Sequence, residues 1–248
     1  MKNILIVFGF LFLFAGCSKP SDCVESTGDM ITKEFVIPAE VNFDKIIVYK
    51  GIALVVTEGP EYKVEVKTGE NLIDNIEVKI VGDLLSLKDN TTCNWVREYG
   101  QTTVYVTAPH IMELHSKTEK TISSNGVLTN NILRLFSIDL TDGAGTGDFN
   151  IQVNNGQTVI ENNNVSRYYI SGQTNELLLN FYDGNGRFMG ENLSAKSINV
   201  YHRGSNDMIV KPTESITGKM VSTGNVILKN TPPIVDVQEL YHGHVIYN

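Results

Sequence analysis

The sequence predicts an all-β chain whose larger part winds as a right-handed parallel β-solenoid. Three observations carry this. Apolar and polar residues alternate through short runs such as "YKVEVKTG" and "TTVYVTAP", the mark of half-buried strands. Gly, Asn and Thr interrupt every window that would otherwise read as an amphipathic helix. The second half repeats itself at a spacing of roughly 20 residues.

Taken in order, the first element is not part of the fold. "MKNILIVFGFLFLFAGC" places one positive charge, Lys2, before an apolar run from Ile4 to Phe14, then Ala15 and Gly16, then Cys17. The run is about half the ~20 residues a membrane span needs, and it has the layout of a secretory signal. A cysteine directly after a small pair resembles the lipobox of bacterial lipoproteins, with Phe14 standing where that motif usually carries leucine. The resemblance implies a signal over residues 1–16, cleavage before Cys17, and lipid on the sulfur and amine of Cys17. Several acyl chains anchor stably where one is marginal. Residues 17–33, rich in Ser, Pro, Gly and acids, read as a tether to the membrane. The post-cysteine segment "SKPSDC" offers only Asp22 as an acid, which makes the periplasmic side of the outer membrane the default and leaves the surface side as the alternative.

Two further cysteines, Cys23 and Cys93, remain after Cys17. An exported protein meets an oxidising compartment, so a Cys23–Cys93 disulfide is expected. The chain carries 28 acids against 20 Lys and Arg, a net charge of −8, and loss of the signal removes Lys2 as well. That balance excludes nucleic acid, whose recognition requires a basic face.

From Glu34 to about residue 108, β-branched runs dominate, beginning with "FDKIIVYKGIALVVTEG". Gly59-Pro60, Thr68-Gly69 and Gly82-Asp83 supply turns between them. The solenoid proper is expected over residues 109–248, continuous with this strand-rich part as a single domain, 34–248. Its corners align as "GTGDFNI", "NVSRYYI", "GNGRFMG", "GSNDMIV" and "STGNVIL", with a looser copy at "TEKTISS". The fifth position of each copy is apolar: Ile122, Phe149, Tyr168, Phe188, Met208 and Val226. A unit this short cannot bury its own apolar face, so copies stack at about 4.8 Å and these side chains form an inward ladder. The small triplets are assigned as positive-φ corners. A second set of corners falls at Asn154, Ser171, Glu191, Lys211 and Asn230.

The segment "LTDGAGTGDFNI" is therefore a corner. It fails the phosphate-loop pattern, because strand rather than helix follows and Asp148 stands where a third glycine belongs. It also fails the calcium-repeat pattern, because Arg167 and Arg187 replace Asp148 in the next copies.

With these residues in hand, the segment "VNFDKIIVYKGIALVVTEGPEYKVEVKTGENL", the "CNWVR" at Cys93–Arg97 and the repeated corners ending near "VILKNTPP" resemble a family of secreted bacterial domains. This is the auto-transporter adhesin head domain, or head GIN, common among Bacteroidetes lipoproteins. The resemblance covers most of residues 24–248 and implies a β-solenoid-like fold with an adhesion role. It brings no catalytic residues. The corners at Asn164 and Gly204 depart from it, since each lacks the second glycine.

The residue before the ladder forms a polar column: Thr121, Asp148, Arg167, Arg187, Asp207 and Asn225. Asp148–Arg167 and Arg187–Asp207 are spaced so that they can pair, which would leave Arg167 and Arg187 side by side as a contact for an anion or acidic sugar. Set against this is an exposed charge ladder contributing little. Asp139, Asp142, Asp183 and Asp207 are candidates for a glycosidase pair, which needs carboxylates about 5–9 Å apart, although corner acids commonly form turns. His242 and His244 share a strand face but fall short of a metal ligand set. Tyr99, Tyr105, Tyr168, Tyr169, Tyr182 and Tyr201 are candidates for sugar stacking, of which Tyr168 and Tyr182 are expected to pack inside. The reading is a non-catalytic cell-envelope lipoprotein, an adhesin-like or structural binding module, with no cofactor and no metal. Its partners are the membrane, through the lipid, and an envelope protein or glycan. The alternatives are a lyase or glycosidase on a β-helix, and an assembly or regulatory partner of another envelope protein.

Overall fold

The computed structural model describes residues 23–24, 26–38, 40–91, 101–138 and 145–248. Cys17, Cys93, Tyr99, Asp139 and Asp142 lie outside them. In chain order the strands are β1 (Met30–Phe35), β2 (Lys45–Tyr49), β3 (Ile52–Glu58), β4 (Lys63–Gly69), β5 (Ile76–Val81), β6 (Leu84–Asp89), β7 (Thr102–Ala108), β8 (Glu113–Lys117) and β9 (Ile122–Leu128). There follow β10 (Ile132–Ser137), β11 (Phe149–Asn162), β12 (Arg167–Phe181), β13 (Arg187–His202), β14 (Met208–Met220), β15 (Val226–Leu228), β16 (Ile234–Glu239) and β17 (Val245–Tyr247). One short 3-10 turn, Ile73–Asn75, precedes β5. The chain is all-β, and its strands stack as a parallel solenoid.

The long strands β11–β14 each run along one face, bend, and continue along a second. Their first halves extend the face formed by β3, β7 and β9. Their second halves extend the face formed by β2, β6, β8 and β10. The predicted ladder is present residue for residue: Ile122 opposes Phe149, which opposes Tyr168, then Phe188, Met208 and Val226. It runs further than the repeats suggest, through Leu54, Val104 and Val66 at one end and Val245 at the other. Every member from Val66 to Val226 is at most 1% exposed. The opposite wall supplies a matching column of Leu85, Ile46, Leu114, Leu135, Ile160, Leu179 and Val200. Two apolar columns facing each other leave a filled interior, so the outer surface is where binding chemistry is displayed.

Three features differ from the sequence expectation. First, β2 and β3 stack between β6–β7 on one side and β8–β9 on the other. The 34–108 part is thus threaded into the solenoid, with antiparallel β1 and β4 extending one wall and antiparallel β5 the other. Second, β1 begins at Met30, inside the stretch expected as tether, because Ile31 and Phe35 lean on the core. Third, four of the second set of corners, at Asn154, Ser171, Glu191 and Lys211, are bends within unbroken strands, while Asn230 falls between β15 and β16.

Candidate functional site

The glycine-type corners join the second halves of the long strands to the next first halves, and they are stapled to each other. Among the described glycines of this set, Gly184 alone, at φ 84°, takes the positive φ assigned to it. Elsewhere the requirement is space: a Cβ on Gly147 would overlap the Lys120 carbonyl oxygen of the neighbouring coil. Side chains then bond from coil to coil. Ser205 Oγ bonds Asn185 Oδ1, Asn206 Nδ2 donates to the Asn185 carbonyl at 2.6 Å, and Arg187 Nη2 donates to Asn206 Oδ1 at 3.1 Å. Asn225 donates through its backbone N–H and Nδ2 to Asp207 Oδ1 at 3.0 and 2.9 Å. Beneath this corner, Ser137 Oγ and Ser166 Oγ both lie within bonding distance of the Gly145 carbonyl and of each other. Tyr168 donates its hydroxyl proton to Asn162 Oδ1 at 3.2 Å. These groups are buried, and burial raises the Tyr168 pKa far above the ordinary tyrosine value. The cluster is interior glue, closed to ligands.

Arg167 and Arg187 are opposite each other in register, as expected, and both are exposed. The predicted Asp148–Arg167 and Arg187–Asp207 pairs do not form. Asp207 is turned toward Asn225 on the following coil, and Arg187 reaches Asn206 instead. Asp183 also serves a turn, accepting the Gly184 N–H at 2.8 Å. His244 Nδ1 is 2.8 Å from Glu239 Oε2, while His242 lies edge-on to Tyr241, so the two imidazoles do not converge. Among the described residues no three His, Cys, Asp or Glu side chains gather as a metal site. Cys23 is buried, 6% exposed.

The tyrosine expectations divide. Tyr168 is fully buried, but Tyr182 is 39% exposed. It follows inward-facing Phe181 by one residue, so strand alternation turns it outward. There it joins a charged aromatic strip on the β10 side. Tyr182 donates to Glu161 Oε1 at 2.8 Å, and its ring centroid is 6.0 Å from that of Tyr201. Arg134 bonds Glu161 at 2.8 Å, approaches Glu113 at 3.9 Å and lies 4.6 Å above the Phe136 ring. Partial burial and then the Glu161 carboxylate push the Tyr182 phenol up to about 12. Burial likewise raises the Glu113 carboxyl, against the pull of Arg134. A shallow groove of about 360 Å³ continues from Tyr201 past Asn199, Thr217, Lys219, Asp236 and Gln238.

A second groove was not singled out by the sequence. It lies along the bends of β11–β14, where the first halves turn into the second halves, and has a volume of about 480 Å³. Asn131, Asn154, Asn155, Gln173, Asn175, Ser194, Lys196 and Thr213 line it, with no aromatic, aliphatic or carboxylate side chain. Gly156 leaves room here for the Asn131 carboxamide, which occupies the place a Cβ would take. The sequence signal was visible as amides at the second set of corners; what it lacked was the bend that aligns them.

A filled solenoid leaves its grooves and side-chain columns on the outside, so any ligand is met there. Residues 42–232 match the family model "Putative auto-transporter adhesin, head GIN domain", and the chain belongs to that family. Solved structures share the fold. A "putative adhesin" from Bacteroides fragilis is 18% identical, with a TM-score of 0.79 over 90% of this chain and 100% of that one. A "putative lipid binding protein" from Parabacteroides distasonis is 15% identical, with a TM-score of 0.62 over 90% and 99%. A further "putative adhesin" from Parabacteroides distasonis is 14% identical, with a TM-score of 0.59 over 90% and 100%. No curated protein matches the chain.

Proposed function

We propose that the chain is a non-catalytic binding module of the bacterial cell envelope, held at the outer membrane by lipid on Cys17. Membership of the adhesin head family supports this. The observation that carries it is where the polar chemistry lies. The interior is packed with apolar columns, while amides, hydroxyls, rings and charges stand outward in register over successive coils. The corner acids Asp183 and Asp207 are engaged in holding turns, which weighs against the alternative of a lyase or glycosidase. A Cys23–Cys93 disulfide would tie the segment after the lipid to the body, and buried Cys23 suits that role. The outward pair Arg167 and Arg187 stays in this reading as a secondary anion contact.

Two measurements test the proposal. Palmitate labelling and membrane fractionation of the wild type and Cys17→Ala should show label and membrane retention lost together. Retention of the wild type on bacterial envelope and host-surface preparations should be saturable, and a polysaccharide turnover screen should stay silent. Turnover of any polysaccharide overturns the non-catalytic reading.

A further inference from the structure

The two edges of the solenoid differ in how much of their polar side-chain chemistry the fold uses. At the glycine-type corners, amides and acids bond one another up the stack, as Asn206 bonds Asn185 and Asn225 bonds Asp207. That is what a structural ladder does. At the bends of β11–β14, the side chains of Asn154, Gln173, Asn175, Ser194 and Lys196 make no hydrogen bond or ion pair with the protein. Asn155 is engaged only through Oδ1, which accepts from Thr158 Oγ1 at 3.2 Å, and its Nδ2 is buried without a partner. Fold maintenance therefore does not account for the choice of amides here.

The chemistry of the lining selects among ligands. Carboxamides offer a donor and an acceptor each, matching groups that are both, as sugar hydroxyls are. A peptide or lipid would find no aliphatic or aromatic pocket in this groove. A peptide would find no free strand edge either, because β11, β12 and β13 are paired on both sides. Lys196 is the one charged lining residue, and the nearby Glu176 carboxylate is held by Gln157 Nε2 at 2.5 Å. In a chain of net charge −8, an isolated ammonium in a carboxylate-free groove favours an anionic ligand. The bends of four successive strands span about 14 Å, three spacings of ~4.8 Å, room for a short oligosaccharide.

We propose that this groove binds an acidic glycan, with the amides and Ser194 pairing with sugar hydroxyls and Lys196 with a sugar carboxylate. The proposal rests on the reading of the chain as a binding module and supplies that module with a site and a ligand class.

The test is isothermal titration of the processed chain in detergent with trigalacturonate and with sialyllactose, using maltotriose as the neutral probe. Saturable binding of an acidic glycan is expected, with maltotriose much weaker. Lys196→Gln should weaken it about tenfold, as loss of one charge-assisted bond does. Gln173→Ala/Asn175→Ala should remove it, and Lys79→Gln, an exposed lysine of β5 outside both grooves, should leave it unchanged. Unaltered melting midpoints show that the variants fold. The proposal is overturned if neither acidic glycan binds, if maltotriose binds equally well, or if the groove variants bind like the wild type. Surface retention separates the two levels of inference. Wild-type retention that the groove variants do not alter removes the groove and leaves the module, whereas no wild-type retention on any surface removes the module itself.

Discussion

Tyr168 and Tyr169 are neighbours in sequence and opposites in the fold, and replacing each in turn by alanine tests the solenoid at one-residue precision. Tyr168 is 0% exposed, stacks on Phe149 with centroids 4.8 Å apart and planes 7° apart, and packs against Phe181 at 5.8 Å. Removing a buried aromatic costs about 3–5 kcal/mol through lost burial and the cavity left behind. The lost bond to Asn162 Oδ1 strands a buried acceptor and adds roughly 1 kcal/mol or more. Tyr168→Ala should therefore cost about 4–6 kcal/mol. At ~2–4 °C per kcal/mol for a chain of this size, the melting midpoint should fall by about 10–20 °C. Tyr169 is 40% exposed and bonds nothing, so Tyr169→Ala should cost less than ~1 kcal/mol. The assay is urea and thermal denaturation of both variants beside the wild type. Equal losses, or the larger loss at Tyr169, would refute the register, because a slip by one residue exchanges the two faces of a strand.

Three further outcomes are expected. Gly147→Ala should destabilise strongly and lower soluble yield, since its Cβ overlaps the Lys120 carbonyl of the coil beside it; a midpoint within 2 °C of the wild type, under about 1 kcal/mol, would show that the corner relaxes. Burial lowers the pKa values of His202 and His115 from 6.5, so the unfolded chain takes up their protons first as pH falls. Their contribution is complete above pH about 6.5 and is lost progressively below it. Asp207 and a backbone bond to Asn206 work against burial at His202. His202→Phe should flatten part of that acid limb in denaturation midpoints measured from pH 7.5 down to 5, and an unchanged limb would place the titration elsewhere. Mass analysis of the non-reduced processed chain should show Cys23 joined to Cys93, and free thiol titre at both would remove the bridge.

How much was legible in the sequence follows from which forces are periodic. The ladder from Ile122 to Val226 was legible because an inward column demands an apolar side chain at one place in every coil, whatever that residue is. The last coil was missed at Val245 because its corner, His242-Gly243-His244, carries imidazoles that look like ligands rather than turn formers. The position of β2 and β3 was not legible at all. Their pairing with β8 and β9 and with β6 and β7 joins segments far apart in the chain, and alternation gives a strand's faces but never its neighbours. The polar column was legible as a column, yet its bonds were not, because an aspartate between two coils can turn either way. Asp207 chose Asn225, whose backbone N–H and side chain both reach it, over one exposed guanidinium.

That choice bears on where a ligand belongs. A surface ion pair contributes at most ~1 kcal/mol, so nothing compelled the arginine columns to close, and Arg167 and Arg187 were left facing solvent. A coil-to-coil amide bond at a corner, by contrast, holds a turn that lacks strand pairing. Selection for stability alone should then fill both edges of the solenoid with such bonds. The glycine-type edge carries them, whereas at the bend edge the bonds that form, such as Asn230 Nδ2 to the Pro212 carbonyl and Thr213 Oγ1 to the Ala195 carbonyl, leave out the side chains of Asn154, Gln173, Asn175, Ser194 and Lys196. Between β11 and β12 the strands stay paired through the turn, so backbone bonds already hold the shape there and the side chains of Asn154, Gln173 and Asn175 carry no structural duty. Freed from that duty, a run of surface positions drifts toward mixed charge and mixed size. Amides and a serine with a single lysine over three successive strands instead match the donors and acceptors of the hydroxyl-rich, acidic ligand proposed for this groove.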